Sequence, residues 1–242
     1  MAAETGTHAR GVRPDRRRIV EVLSASPLFQ VLGQDGIAAT VQAGSTRKYA
    51  GGQIICYQGD PGDRLYIVMD GLVKVVRSSE RGDEMVLNTL GPAEVFGELA
   101  LLDGSPRSAS VVAVEATSVF MLSRATLLEL MRQHPGLTDE FLRMLGKLVR
   151  RLTEQAADLA FLDLAGRLAK LLLQLAEKHG GAQDSVLDRR LTQSDLAAMI
   201  GASRPAVNRA LQSLAARGLV TVQGQTIVLR DLAGLRKRAE LA

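Results

Sequence analysis

The period of the apolar positions changes along this chain, and each change predicts a different kind of element. Apolar residues recur at helical spacing over 19–23, followed by Leu28 and Phe29, and again over 35–41. From Thr46 to Ser123 the pattern becomes short runs of Val, Ile, Leu and Tyr cut by glycine, for example at Gly59, Gly62, Gly71, Gly91, Gly97 and Gly104. Turn signals at a spacing of about ten residues predict an antiparallel sandwich or jelly roll. Its strands are expected at 53–57, 65–69, 72–77, 84–90, 108–114 and 118–122. Asp60-Pro61-Gly62-Asp63 supplies turn chemistry.

Helical spacing returns at 124–134, is stopped by Pro135-Gly136, and resumes over 137–162. In that last stretch Phe141, Leu145, Leu148, Leu152, Gln155, Leu159 and Leu162 advance in alternating steps of four and three. Such a heptad seam predicts a parallel helix pair in a homodimer, with Gln155 as a polar register position. A further helix is expected over 164–179, closed by Gly180-Gly181. Thr192-Gln193-Ser194-Asp195 then reads as a capping box opening a short helix, Gly201 as a tight turn, and Ser203 as the cap of a second helix over 204–217. Pro205 is tolerated in the first turn of that helix, where its missing N–H has no intrahelical partner. Two runs, 219–222 and 226–229, flank Gln223-Gly224-Gln225 as a β-hairpin. Helix, turn, helix and wing make a DNA reader in which Arg204, Asn208 and Arg209 reach a groove.

Composition narrows the class. The chain has 242 residues, 46% hydrophobic, enough for two domains with their own cores. No apolar run approaches the roughly 18 residues of a membrane span, and residues 1–18 read as a mobile basic tail rather than a secretory signal, so a cytoplasmic protein is expected. Cys56 is the sole cysteine, which excludes an intrachain disulfide and a multi-thiolate metal site; it reads as a small buried hydrophobe. His8, His134 and His179 have no metal-ligand spacing. The net charge is only +4, but arginine and lysine outnumber acids from Arg189 onward, which points the C-terminal part toward nucleic acid.

The chemistry-bearing stretch is Phe96-Gly97-Glu98-Leu99-Ala100 with Pro106-Arg107-Ser108-Ala109. Arg107 offers a permanently charged planar fork suited to a phosphate diester, and Ser108 adds a neutral donor. Gly97 allows a turn whose amides face an anion, while Glu98 is an acceptor for ribose hydroxyls. The competing reading is a salt bridge between Glu98 and Arg107 that pins a loop. No nucleophile and base pair or metal cluster is visible, so the chain is not read as an enzyme.

Taken together, residues 59–66, Gly71 and these two motifs resemble the cyclic nucleotide-binding roll of the cyclic AMP receptor protein family. The resemblance implies an α+β protein in four parts: the tail (1–18), the β-roll (19–136), a dimerisation helix and hinge (137–163, hinge at Asp163), and a winged helix-turn-helix (164–242). It implies that Gly97, Glu98, Leu99, Arg107 and Ser108 bind a cyclic nucleotide, cyclic AMP foremost, with Glu98 on the ribose and Arg107 and Ser108 on the phosphate. The family's base-contacting positions on the long helix fall on Leu152 and Thr153, of which only Thr153 keeps a hydroxyl. Thr192, Gln193, Ser203, Arg204, Pro205, Asn208 and Arg209 fall on the DNA-binding positions. Pro205 replaces a glutamate of the family's best-known members, so an altered base preference is expected there. The implied partners are double-stranded DNA with an inverted repeat, a second copy of the chain and RNA polymerase. Two other readings stay open: a regulator that binds DNA without a ligand, and a regulatory subunit of an enzyme, which the helix-turn-helix disfavours.

Overall fold

The computed structural model describes residues 16–79, 84–178, 192–224 and 226–240. Positions 1–15, Gly82, His179, the Gly180-Gly181 stop, Arg189 and Gln225 lie outside the described residues. Arg16, Arg17 and Arg18, assigned above to the tail, instead open a helix.

Helices α1 (Arg16–Ala25) and α2 (Gly33–Ala43) lead into eight strands: β1 (Ser45–Tyr49), β2 (Ile54–Cys56), β3 (Arg64–Asp70), β4 (Val73–Ser78), β5 (Glu84–Leu90), β6 (Val95–Phe96), β7 (Ser110–Ala113) and β8 (Thr117–Ser123). A six-residue helix, α3 (Glu98–Asp103), lies between β6 and β7. The strands form two antiparallel four-stranded sheets, ordered β1-β8-β3-β6 and β2-β7-β4-β5. This is the expected antiparallel roll, with two strands and α3 added.

Side-chain alternation sorts the residues into two cores. Tyr66 and Val68 of β3 and Val119 and Met121 of β8 point inward, against Val73, Val111 and Ala113 of the second sheet. Their neighbours Leu65, Ile67, Phe120 and Leu122 point outward, where Leu23, Phe29, Leu127, Leu137 and Phe141 cover them. The first sheet is thus buried on both faces, which is why β3 is a continuous apolar run.

After α4 (Arg124–Gln133), the 27-residue helix α5 (Pro135–Phe161) begins in this outer core and runs out of it. Leu162 is extended, and Asp163 starts α6 (Leu164–Lys178) by accepting the Gly166 N–H at 2.8 Å. Helices α7 (Gln193–Met199) and α8 (Arg204–Ala216), the wing β9 (Val220–Gln223) and β10 (Thr226–Leu229), and a final helix α9 (Leu232–Glu240) complete the chain. Their shared core includes Leu168, Leu172, Leu196, Val207, Leu211 and Leu235. The capping box is present: Thr192 Oγ1 accepts the Asp195 N–H, and Asp195 Oδ2 accepts the Thr192 N–H.

Glycine packing fixes the loops around β6 and α3. A Cβ built on Gly62 would lie 2.1 Å from Ala100 Cβ of α3, with no backbone strain involved. Gly62→Ala is therefore expected to destabilise the roll by about 1–3 kcal/mol through overpacking, read as a lower midpoint in urea unfolding with an unchanged slope.

Candidate functional site

Arg107 is the centre of the candidate site. Its main chain is held by the loop before β3: Arg107 N–H donates to Asp60 O at 2.8 Å, and Gly59 N–H donates to Arg107 O at 2.9 Å. Its side chain is 5% exposed. Nη1 donates to Gly97 O at 2.8 Å and Nη2 to Arg64 O at 2.7 Å, while Nε is buried with no hydrogen-bond partner. The guanidinium carbon lies 5.3 Å from the Tyr66 ring centroid, and Tyr66 stacks on Phe96 at 4.8 Å. Among the described residues Glu98 and Arg107 form no ion pair, so the salt-bridge reading does not hold. The arginine charge is met by carbonyls and a ring, with donor capacity left over.

Gly97 satisfies two demands at once. Its φ is +82°, and a Cβ there would sit 2.3 Å from Arg107 Nη1. The backbone turns through it into α3, whose first N–H groups have no intrahelical acceptor. Glu98 and Leu99 are half-buried in that first turn, and Ser108 is exposed beside Arg107. Burial pushes the Glu98 carboxyl above the ordinary 4.5, with Arg107 and Arg151 working in the opposite direction. Burial likewise pushes the Cys56 thiol up, in keeping with a hydrophobe between the sheets.

Arg151 is the residue that the heptad reading missed. Continuing the stripe that begins at the buried Leu137 and Phe141 in steps of three and four leads through Met144 and Leu148 to Arg151. Its charge is felt at Glu98, and its Nε is also buried without a partner. Leu152 and Thr153 follow it on exposed positions, with the Thr153 hydroxyl donating to Val149 O at 3.0 Å.

The seam also needs correction. Phe141 is 1% exposed inside the roll's outer core, because α5 must anchor there before it leaves, so it cannot face a partner. Leu148 and Leu162 are half-buried, and Gln155 is exposed. The apolar positions left most open on α5 are Leu142, Val149, Leu152, Leu159 and the terminal Phe161, between 48% and 70% exposed, with the half-buried Leu145 in register with the first four.

In the C-terminal unit, Thr192, Ser203, Arg204, Pro205 and Arg209 are exposed, and Ser203 Oγ accepts the Ala206 N–H. Gln193 and the half-buried Asn208 come together in an open groove between α8 and β9, with Gln212 and Thr221.

Comparison with known proteins decides the family. Residues 46–134 match the sequence model of the cyclic nucleotide-binding domain, and residues 166–238 match that of the Crp-like helix-turn-helix domain. The chain is 35% identical over 221 residues to the CRP-like cAMP-activated global transcriptional regulator of Mycobacterium tuberculosis, spanning 90% of this chain and 99% of the relative. The chain belongs to the cyclic AMP receptor protein family. The cyclic AMP receptor protein of Thermus thermophilus is also 35% identical, over 90% of this chain and 98% of its own. Among solved structures, the Thermus thermophilus catabolite activator protein aligns with TM-score 0.52 at 36% identity, over 88% of this chain and 98% of that one. The c-di-GMP responsive global regulator CLP of Xanthomonas campestris aligns with TM-score 0.65 at 28% identity, over 80% and 99%.

Within this family the arrangement has a direct meaning: the protein is a cyclic nucleotide-binding transcription regulator, and its domains and relatives are those of regulators rather than enzymes. The residues fit such a ligand. A cyclic phosphate would supply the anion that the buried Arg107 fork lacks, and an ionised Glu98 would accept a ribose hydroxyl. Since the carboxylate is the better acceptor and its pKa is raised, nucleotide affinity should fall as pH drops from neutrality toward 4.5, by at most tenfold per unit. Calorimetry across that range should show the slope in the wild type and its loss in Glu98→Gln.

Proposed function

We propose that the regulator binds cyclic AMP, acts as a homodimer and reads an inverted repeat with its two α8 helices. The observation that carries the ligand assignment is the buried Arg107 guanidinium with an unpartnered Nε, held beside Glu98. The relatives' description as cAMP-activated supports cyclic AMP over other cyclic nucleotides. Gly97, Leu99 and Ser108 complete the phosphate side, and Leu152 with Thr153 is the base side. With only one hydroxyl there, selectivity between adenine and guanine rests on shape and on Thr153 Oγ1, which, donating to Val149 O, is left to act as an acceptor.

The open stripe Leu142, Leu145, Val149, Leu152 and Leu159 advances in steps of three, four, three and seven, the spacing of a parallel helix pair. A second copy is the natural cover for it. Two α8 helices related by that pair would meet successive major grooves, with half-sites about 34 Å apart. Thr192, Gln193 and Ser203 serve the phosphates, while Arg204, Asn208 and Arg209 serve the base edges. Asp163 lies at the junction between α5 and the reader, where the hinge is placed in this proposal.

Calorimetry with cyclic AMP and cyclic GMP should give tighter binding of cyclic AMP and its loss in Arg107→Leu; equal affinity in the two proteins would sink the pocket. Light scattering should find a dimer at micromolar concentration that Val149→Glu with Leu152→Glu splits. On a selected DNA site, Arg204→Ala and Arg209→Ala should each cost about 1–3 kcal/mol, and a steep salt dependence should accompany wild-type binding.

A further inference from the structure

The roll and the DNA reader touch at a point that the ligand and DNA assignments do not use. Lys74, on β4, donates through Nζ to Asp195 Oδ1 at 2.7 Å, with side-chain exposures of 24% and 11%. The two oxygens of Asp195 are thereby divided. Oδ2 closes the capping box on Thr192, taking its N–H at 2.9 Å and its hydroxyl at 2.7 Å, and Oδ1 reaches across to the roll. Burial pushes this carboxyl up, but Lys74 and the Thr192 donors outweigh it and hold the group below its ordinary range. Asp195 is therefore ionised, and the contact is a true ion pair.

An apolar contact stands beside the charged one. Leu72, just ahead of β4, is 9% exposed and packs in the core of the DNA reader. Val114, whose N–H donates to Leu72 O at 2.8 Å, is half-buried against the same core. Strand β5 lies alongside α7. The roll thus contacts the first turn of α7 at Asp195, whose other oxygen holds Thr192, a residue proposed above to meet DNA. A duplex phosphate and the roll would compete for that end of the helix.

The ligand site lies on the same ladder. Strand β7 begins two residues after Ser108 and pairs with β4, with Val112 directly opposite Lys74 and Ser110 opposite Val76. A shift of the Arg107–Ser108 segment on taking up an anion would bear on β7, the strand that pairs with Lys74's own.

We propose that Lys74 and Asp195, with Leu72 beside them, form an autoinhibitory latch that docks the DNA reader on the roll in the ligand-free protein and that ligand uptake at Arg107 and Ser108 weakens through β7 and β4. This rests on the reading of that site as a cyclic nucleotide site. A latch of this kind acts by differential stability of two arrangements, so removing it raises ligand-free DNA affinity and leaves the liganded affinity nearly unchanged.

The test uses the full chain and a duplex selected from a random pool, with fluorescence anisotropy in the absence and presence of cyclic AMP and calorimetry for cyclic AMP on each variant. Lys74→Gln should bind DNA about tenfold more tightly than the wild type without nucleotide, within the range of about 5- to 150-fold typical of allosteric coupling. Leu72→Ala, which leaves the charges in place, should move the same way, and Lys74→Arg should stay near the wild type. Unchanged or weaker ligand-free DNA binding in both Lys74→Gln and Leu72→Ala would overturn the latch. Failure of the wild type to bind cyclic AMP would instead count against the ligand site, while the ligand-free affinities would still decide the latch.

Discussion

The rest of this structure depends on a guanidinium kept away from water without a carboxylate among the described residues to pair it. Leaving a buried charge without a counter-charge costs several kcal/mol, and two carbonyls and an aromatic face offset only part of that. The surrounding sequence is arranged to hold it. Gly59 and Asp60 clamp the Arg107 main chain, Gly97 leaves room for its fork, and Gly62 lets that loop close on α3. An anion delivered there supplies the missing charge, so ligand binding and roll stability are linked: whatever binds the folded site also stabilises it.

The second constraint is the sheet with two covered faces. One face must match the opposing sheet, and the other must match α1, α4 and the start of α5. Phe141 is therefore a core residue that also fixes where α5 leaves the roll, and with it the direction in which Arg151 projects. A single helix consequently starts in the roll, passes Glu98 at Arg151, leaves an apolar stripe open and ends at the C-terminal unit. No separate signalling element is required among the described residues.

Much of this was legible in the sequence, and the omissions have physical causes. Strand β3 is an unbroken apolar run and α8 carries its own cap, so both were readable. Strand β1 is a polar edge segment with only Tyr49 buried, and β6 has two residues, so neither has an alternation to detect. Helix α3 is six residues held by its neighbours rather than by propensity. Helix α9 has a weak apolar stripe, with Leu235 as its fully buried residue, and forms because α6 offers a surface for it. The heptad count chose Phe141 over Leu142 because both steps fit; only the roll, absent from a one-dimensional pattern, decides which faces inward. Arg151, Lys74 and Asp195 were invisible as partners for the same reason, since their neighbours lie 53, 121 and 121 positions away.

The break between α5 and α6 looks at first like the place that sets the position of the DNA reader, because Leu162 is extended and Asp163 caps the next helix. Ion pairs bridge it on both sides: Lys170 Nζ to Asp158 at 2.7 Å, and Arg238 of α9 to Asp163. Asp163 is 63% exposed, so its pair with Arg238 contributes about 0–1 kcal/mol, whereas Lys170 and Asp158 are 30% and 21% exposed and form the more sheltered pair. The roll-to-reader contact combines an ion pair with an 11% exposed carboxylate and a buried leucine, so its disruption leaves both a less solvated charge and exposed apolar surface. What distinguishes the β4–α7 contact is its buried leucine, which in the proposed latch adds an apolar component that the ion pairs at the α5–α6 junction do not carry.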